Sequence, residues 1–366
     1  LREALAGAAA EGKRISLGGR FSKRLMGGPT ADADVTISTA RLSGILKYEP
    51  ADLTLSVEAG TPWAEVCHVL GENRQMIPLD PPFAGSATVG GVVATNGSGP
   101  RRRLYGTARD LVIGMRFATL AGKEVQSGGM VVKNVAGLDM GKLMIGSFGT
   151  LAAIAVVNFK LTPKPEVEKT ALLRFDAVEA AMEARDRLIR GVLQPAAVDL
   201  LNPMALGDGS YMLAVQFGGN EAVAARYARE LGGTILEDEG QEQFWNGVVE
   251  YSRRFLDKYA TGAVVRAAST LTQVRDVMES LKVPAFARAA NGVTYAHFTT
   301  TGAAAEWLRS VRQRPWRCVI EYSPEAEKQN HELWPAPGDD FGMMKNIKRM
   351  FDPQNLLNHG RLYRLI

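Results

Sequence analysis

The stretch "GSATVGGVVATNGSGPRRRLYGTARD", residues 85–110, is crowded with small residues before it turns to arginine. Gly85, Ser86, Ala87, Gly90, Gly91, Ala94, Gly97, Ser98 and Gly99 carry almost no side chain. Such a segment packs poorly, but its bared backbone N–H groups can approach a phosphate or a planar ring. A flexible linker would not contain the β-branched "TVGGVVAT", and turns alone do not need glycine at so many positions. The stretch therefore reads as a ligand-contacting loop.

The common nucleotide motifs do not account for it. No G-x-G-x-x-G follows a strand, so a Rossmann site is unsupported. "GLDMGKL" at 137–143 has the wrong spacing for a P-loop, and no Ser or Thr follows Lys142. H-E-x-x-H and G-x-S-x-G are both missing.

Working outward, the first half alternates short strands and helices. Runs 35–37, 53–57, 111–119 and 151–161 are strand-like, and Thr61-Pro62 opens a helix over 63–70 with Thr61 as N-cap. "LTPKPE" at 161–166 breaks both periodicities and marks a boundary. Beyond it, a strand (169–175), a helix (177–190), two strands (198–201, 211–217), a helix capped by Asn220 and a strand (234–236) give the ferredoxin-like order β-α-β-β-α-β. A second, weaker copy runs over 263–321, with a hairpin at Asn291-Gly292. The expected organisation is α+β: a first domain over 1–165, an α+β second domain over 166–322, and a segment over 323–366 that returns to the first.

Composition narrows the class. The 366 residues suffice for about two domains. The chain does not open with Met, which leaves room for a truncated N-terminus. Its net charge of +4 is mild, and Arg101–Arg103 lack the aromatic interleaving of a nucleic-acid binder, so no nucleic-acid partner is expected. No apolar run approaches the ~20 residues of a membrane span. Cys67 and Cys318 are the only cysteines, too few for an iron–sulfur cluster or a Cys-based zinc site, and they fit a reducing, cytoplasmic setting.

Several segments resemble the FAD-binding domain of the vanillyl-alcohol oxidase/p-cresol methylhydroxylase (PCMH-type) flavoproteins. They are "ISLGGRFSKRLMGG", "LTLSVEAGTPWAEV", "PLDPPFAGSATVGGVVATNGSG", "RRRLYGTARDLVIG" and "VVKNVAGLDMGKLMIGSFGTLAAI", in matching order over 15–165. "FDPQNLLNHGRLY" at 351–363 resembles the family's closing segment. The resemblance implies a two-subdomain PCMH-type FAD-binding domain with a ferredoxin-like cap, and within the family it points to glycolate oxidase-type subunits. Gly18, Gly19, Arg20, Phe21 and Ser22 would form one phosphate loop. Thr88, Gly90, Gly91, Ala94, Thr95 and Asn96 would line the pyrophosphate and ring. Asp80 and Pro81 fall just before that loop, while Asp139, Gly146, Gly149 and Ile154 match the last motif. Tyr105-Gly106 and Asp110 would position the loop, with a turn-capping role equally open for Asp110.

The implied chemistry is hydride transfer from a small 2-hydroxy acid, glycolate or D-lactate, to FAD; the alternative is an auxiliary, noncatalytic FAD-binding subunit. "GGRFSK" holds neither His nor Cys, the residues through which some members attach FAD, so noncovalent FAD is expected. The metal-binding H-G-x-x-G-D-G-N-x-H of hydroxy-acid dehydrogenases is missing, since "GDGSY" at 207–211 has no flanking histidines, and no metal is expected. His297, His359 and Arg361 are the remaining candidates for substrate work, as proton acceptors and as a carboxylate-binding guanidinium, with a structural role for His297 and a tail-supporting or FAD-phosphate role for Arg361 open beside it. His359 stands where the family has Pro, and Leu138 where it has Tyr. The missing cluster and metal ligands imply a larger flavoprotein partner and an iron–sulfur subunit, through which the chain would associate with the inner face of the membrane.

Overall fold

The structure is a computed structural model that describes residues 1–30, 32–130 and 139–366. Its contacts divide the chain into two compact units: Leu1–Ser98 with Gly106–Lys164 and Ala336–Ile366, and Gly99–Tyr105 with Pro165–Pro335. The arginine run, expected in the first domain, thus clusters with the second unit.

Among the described residues the first unit has nine strands: β1 (Ile15–Gly18), β2 (Val35–Ser38), β3 (Ile45–Glu49), β4 (Thr54–Glu58), β5 (Gln75–Met76), β6 (Val112–Ala118), β7 (Glu124–Gly128), β8 (Ala153–Lys160) and β9 (Thr162–Pro163). β1 and β2 pair in parallel, and Ile15 also bridges Leu357, which fixes the tail to this edge. The larger sheet is antiparallel, in the order β3-β4-β8-β6-β7. Leu55, Val57, Met115, Phe117, Val157 and Phe159 from it meet Trp63, Val66, Leu70 and Val92 in one core. The helix Trp63–Glu72 begins without the expected threonine cap. Thr61 is fully buried, and its hydroxyl accepts from the Gly44 N–H at 2.9 Å.

The second unit has one eight-stranded sheet: β10 (Val167–Phe175), β11 (Ala197–Leu201), β12 (Tyr211–Gly219), β13 (Thr234–Glu237), β14 (Ala263–Ala268), β15 (Ala285–Arg288), β16 (Val293–Phe298) and β17 (Arg317–Tyr322). Its order, β13-β10-β12-β11-β15-β16-β14-β17, is two ferredoxin-like sheets joined edge to edge through β11 and β15. The hairpin at Asn291-Gly292 is present, with Gly292 at φ +73°. Helices Val178–Arg190, Glu221–Leu231, Val274–Glu279 and Thr301–Ser310 bury their apolar faces with one side of this sheet. Arg185, on the apolar stripe of the first of these, is buried and donates to the Ala289 and Leu271 carbonyls. Two helices that the sequence reading does not anticipate, Asp238–Val249 and Tyr251–Lys258, join the halves; the first sends Trp245 and Val248 onto the other side of the sheet. Their sequence is rich in charged and amide residues, and apolar residues are a minority in each.

Candidate functional site

The first unit gathers four loops. β1 ends in Gly18-Gly19, where side chains have no room: a Cβ on Gly18 would lie 2.6 Å from the Phe21 ring, and one on Gly19 would lie 2.3 Å from Thr88 Oγ1. Phe21 takes φ +54°, curling the loop, and the Ser38 hydroxyl braces it through the Gly19 carbonyl at 2.8 Å. The backbone N–H groups of Gly19, Arg20, Phe21 and Ser22 make no hydrogen bond to any described residue. Four successive donors without acceptors among the described residues suit an anion such as a phosphate.

Thr88 caps the short helix Val89–Ala94, accepting from Gly91 N at 3.3 Å. The two glycines behind it differ. Gly90 N–H donates to Ala59 O at 2.7 Å, and a Cβ there would lie 2.8 Å from Ala59 Cβ. Its small size is required by packing. A Cβ on Gly91 would meet only Thr88 Oγ1, at 3.2 Å, so its outward face is open. The helix ends in Thr95, whose hydroxyl donates to Gly91 O at 2.8 Å, and Asn96 at φ +49°. The Asn96 Oδ1 is buried and has no hydrogen-bond partner among the described residues. A buried amide oxygen left unpaired is costly unless a ligand supplies its donor.

The flanking loops close on this helix. Pro81, next to half-buried Asp80, is in contact range of Gly97, whose Cβ would lie 3.2 Å from it. Gly146 N donates to Val93 O at 3.2 Å and Phe148 N to Ala94 O at 2.8 Å, with Gly146 and Gly149 both at positive φ. Exposed Asp139 lies 3.8 Å from Lys142 and accepts from Ser127 at 3.4 Å. Ile154 is buried in the sheet core. Asp110 forms a capping box with Thr107, the turn-capping role left open above. Leu138 lies outside the described residues.

The tail locks these loops together through residues that sequence reasoning missed. Asn358 accepts from Leu17 N at 2.7 Å and donates to Leu17 O (3.0 Å) and Phe148 O (2.8 Å). Buried Lys348 donates to Thr150 O (2.7 Å), Leu357 O (3.0 Å) and Asp352 (2.7 Å). The available signal was the pair Asn355 and Asn358, a residue type that tolerates the positive φ both adopt.

The three side chains singled out for substrate work are scattered. The Arg361 guanidinium donates to the Arg24 and Lys23 carbonyls, both at 3.2 Å, and sits over the Phe148 ring. It holds the end of the Gly18–Lys23 loop. His359 is half-buried, its Nδ1 has no partner among the described residues, and burial lowers its pKa, with Lys348 adding to the shift. His297 is in the second unit and fully buried among Tyr251, Phe255 and Phe286. Its Nδ1 donates to the Pro284 carbonyl at 3.1 Å and its Nε2 pairs with Ser252 Oγ at 2.9 Å. Burial pushes its pKa down to about 3. With both nitrogens occupied and the ring fully buried, His297 is a core residue, the structural role that the sequence left open beside that of a substrate-facing base. In the arginine run, Arg103 donates to Pro195 O and Gln194 Oε1 within the second unit.

Free amides in one loop, an open glycine face and an orphaned buried oxygen fit a large anionic cofactor lying against main chain. Residues 1–128 match the family model described as FAD binding domain, and 329–362 match the C-terminal domain of FAD linked oxidases. The chain is 29% identical over 351 residues to glycolate oxidase subunit GlcE of Escherichia coli, covering 94% of this chain and 91% of that one. It is 32% identical over 165 residues to glycolate oxidase subunit GlcD of Bacillus subtilis, covering 45% of this chain and 35% of that one. The fold is that of a solved alkyldihydroxyacetonephosphate synthase, with a TM-score of 0.69 at 14% identity, covering 98% of this chain and 73% of the other. With its cradle on the first unit and matches at both ends of the chain, the protein is similar to the FAD-linked oxidases and binds FAD.

Proposed function

We propose that this chain is an oxidoreductase subunit of the glycolate oxidase type, oxidising a small 2-hydroxy acid, glycolate or D-lactate, and handing electrons to partner subunits. The observation that carries the reading is the main-chain cradle of Gly19–Ser22, Gly91 and Asn96, in a chain similar to glycolate oxidase subunits. Bound FAD supplies the hydride acceptor. The residues of this chain bind and orient it. The Gly19–Ser22 amides take a phosphate, the open face of Gly91 lets main chain meet the cofactor, and Asn96 Oδ1 accepts one of its N–H or O–H donors. Pro81, Gly146 and Gly149 set the walls, with Asp80 and Asp139 at their edges, and Arg361 keeps the phosphate loop closed.

Attachment of FAD is noncovalent on this reading. The phosphate loop has no nucleophile, and burial raises the Cys318 thiol to about 11. With only two cysteines, the chain passes electrons to a larger flavoprotein partner and an iron–sulfur subunit rather than to a cluster of its own. The same two free thiols support a cytoplasmic location. Among the described residues no helix is long and apolar enough to cross a membrane. A second reading, an auxiliary FAD-binding subunit without its own turnover, is favoured by the burial of His297 and the engagement of Arg361 with loop carbonyls.

The test is anaerobic addition of glycolate or D-lactate to the purified yellow protein, alone and coexpressed with its partners. Bleaching of a flavin that acid later releases is the expected result. Bleaching only in the assembly selects the auxiliary reading, and no bleaching in either setting overturns the assignment.

A further inference from the structure

The last strand in the order of the second unit's sheet, β17, is reached through a corner rich in arginine. The helix Thr301–Ser310 runs into a tight turn, and β17 begins at Arg317. Three main-chain bonds fold the corner: Val311 N to Trp307 O at 3.1 Å, Arg312 N to Arg309 O at 3.3 Å and Arg314 N to Val311 O at 2.8 Å. Val311 is buried, and the Trp307 indole donates to Ser280 O at 3.3 Å, so the corner is anchored to the core. Arg309, Arg312, Arg314 and Arg317 are all exposed on it.

None of these four guanidiniums makes a hydrogen bond or an ion pair with a described residue. Arg314 lies over the half-buried Trp316 ring, 5.7 Å from its centre. Elsewhere on the unit, the surface arginines Arg174, Arg187, Arg190, Arg226, Arg253 and Arg275 each have a carboxylate within 4.0 Å. Arg229 has none, but no second unpaired arginine accompanies it on its helix. Glu306 is the one carboxylate in 301–317, and it forms no ion pair with a described residue. The helix dipole favours Arg309, but its effect ends with the last turn and does not extend to Arg314 or Arg317. Four like charges in nine residues repel one another, and no carboxylate among the described residues offsets that cost. The choice of arginine is itself informative. A solvated surface interleaves both signs and uses lysine freely, whereas protein interfaces are enriched in arginine and tryptophan and depleted of lysine. Each planar fork takes a carboxylate through two parallel bonds.

We propose that the corner 309–317 is a docking surface for a carboxylate-rich face of a partner subunit, with the four arginines pairing its acids and Trp316 at their centre. The inference rests on the subunit assembly proposed above and adds to it which surface of this chain the partner meets. It involves the second unit alone.

The experiment uses the tagged, FAD-loaded chain coexpressed with its partner subunits, and measures partner retention and affinity from about 50 to about 500 mM NaCl. Retention should fall as salt rises. The variant Arg309→Gln, Arg312→Gln, Arg314→Gln, Arg317→Gln should bind the partner about 10- to 100-fold more weakly. Its flavin content should be unchanged, and its melting temperature equal to or above that of the wild type, because removing the charges relieves their repulsion. A control that removes four charges from paired sites of the same unit, Arg174→Gln, Arg187→Gln, Arg190→Gln, Arg226→Gln, should keep wild-type affinity. If the first variant does not fold, Arg312→Gln, Arg314→Gln should still weaken binding by about 3- to 10-fold. Wild-type affinity in these corner variants, an equal loss in the control, or retention that ignores salt overturns the surface and leaves the subunit reading standing. A wild type that retains no partner at low salt overturns both. A wild type that passes over the partner and sediments with phosphatidylglycerol vesicles through these arginines overturns the proposal in favour of a membrane contact.

Discussion

The two units deploy their polar groups differently. In the first, the candidate cofactor loops are main chain: successive amides at Gly19–Ser22, an open Gly91 and a single amide oxygen on Asn96. In the second, charged side chains crowd one sheet face, with Arg266–Glu321 and Arg288–Asp199 set among otherwise apolar strands. Main chain meets features every FAD molecule shares, phosphates and a flat ring, and demands smallness of the residues around it.

The comparison has an internal exception, and breaking it should produce the largest effect. Lys348 is a buried cation in the main-chain unit, holding the helix Phe341–Phe351 and the tail to the Thr150 loop. Lys348→Met would strand Asp352 and two carbonyls, and is expected to cost about 3–5 kcal/mol. A urea titration checks this; an unchanged midpoint would show that the tail does not depend on the clamp.

A smaller effect tests whether His297 belongs to the core of the side-chain unit. Its folded pKa of about 3 lies below the unfolded value, so unfolding takes up a proton between the two. Stability from this group is complete above about pH 6.5 and falls as the pH drops towards 3, by about 2 kcal/mol at pH 5. The pH dependence of unfolding should lose that slope in His297→Gln. A slope equal to that of the wild type would mean that the ring is not buried neutral.

These contrasts explain what the sequence disclosed. The glycine-rich loops were legible because crowding leaves a mark at each position, as at Gly18, Gly19 and Gly90, where no side chain fits. The duplicated β-α-β-β-α-β order was legible from its alternating periods and the Asn291-Gly292 turn. Arg266 and Tyr295 were not. "AVVRAA" and "VTYAHF" read simply as strands, and only pairing shows that both residues share one face. The hint was one charged residue inside each of the apolar runs "AVVRAA", "AFAR" and "VIEY". His297 stayed open between two roles because a histidine in a strand carries no mark of burial. The residues contacting it come from 251–255 and 284–286, well away in sequence.

The smallest structural change gives the most direct test of the cofactor cradle. Gly90→Ala pushes into Ala59 and should cost about 1–3 kcal/mol. Gly91 faces open space, so Gly91→Val should leave folding nearly intact while placing a side chain where we propose that the cofactor meets the backbone. The decisive measurement is the ratio of flavin to protein absorbance in purified Gly91→Val against wild type. A folded variant that has lost most of its FAD is the predicted result. Full flavin content in Gly91→Val would contradict the placement of FAD against this backbone.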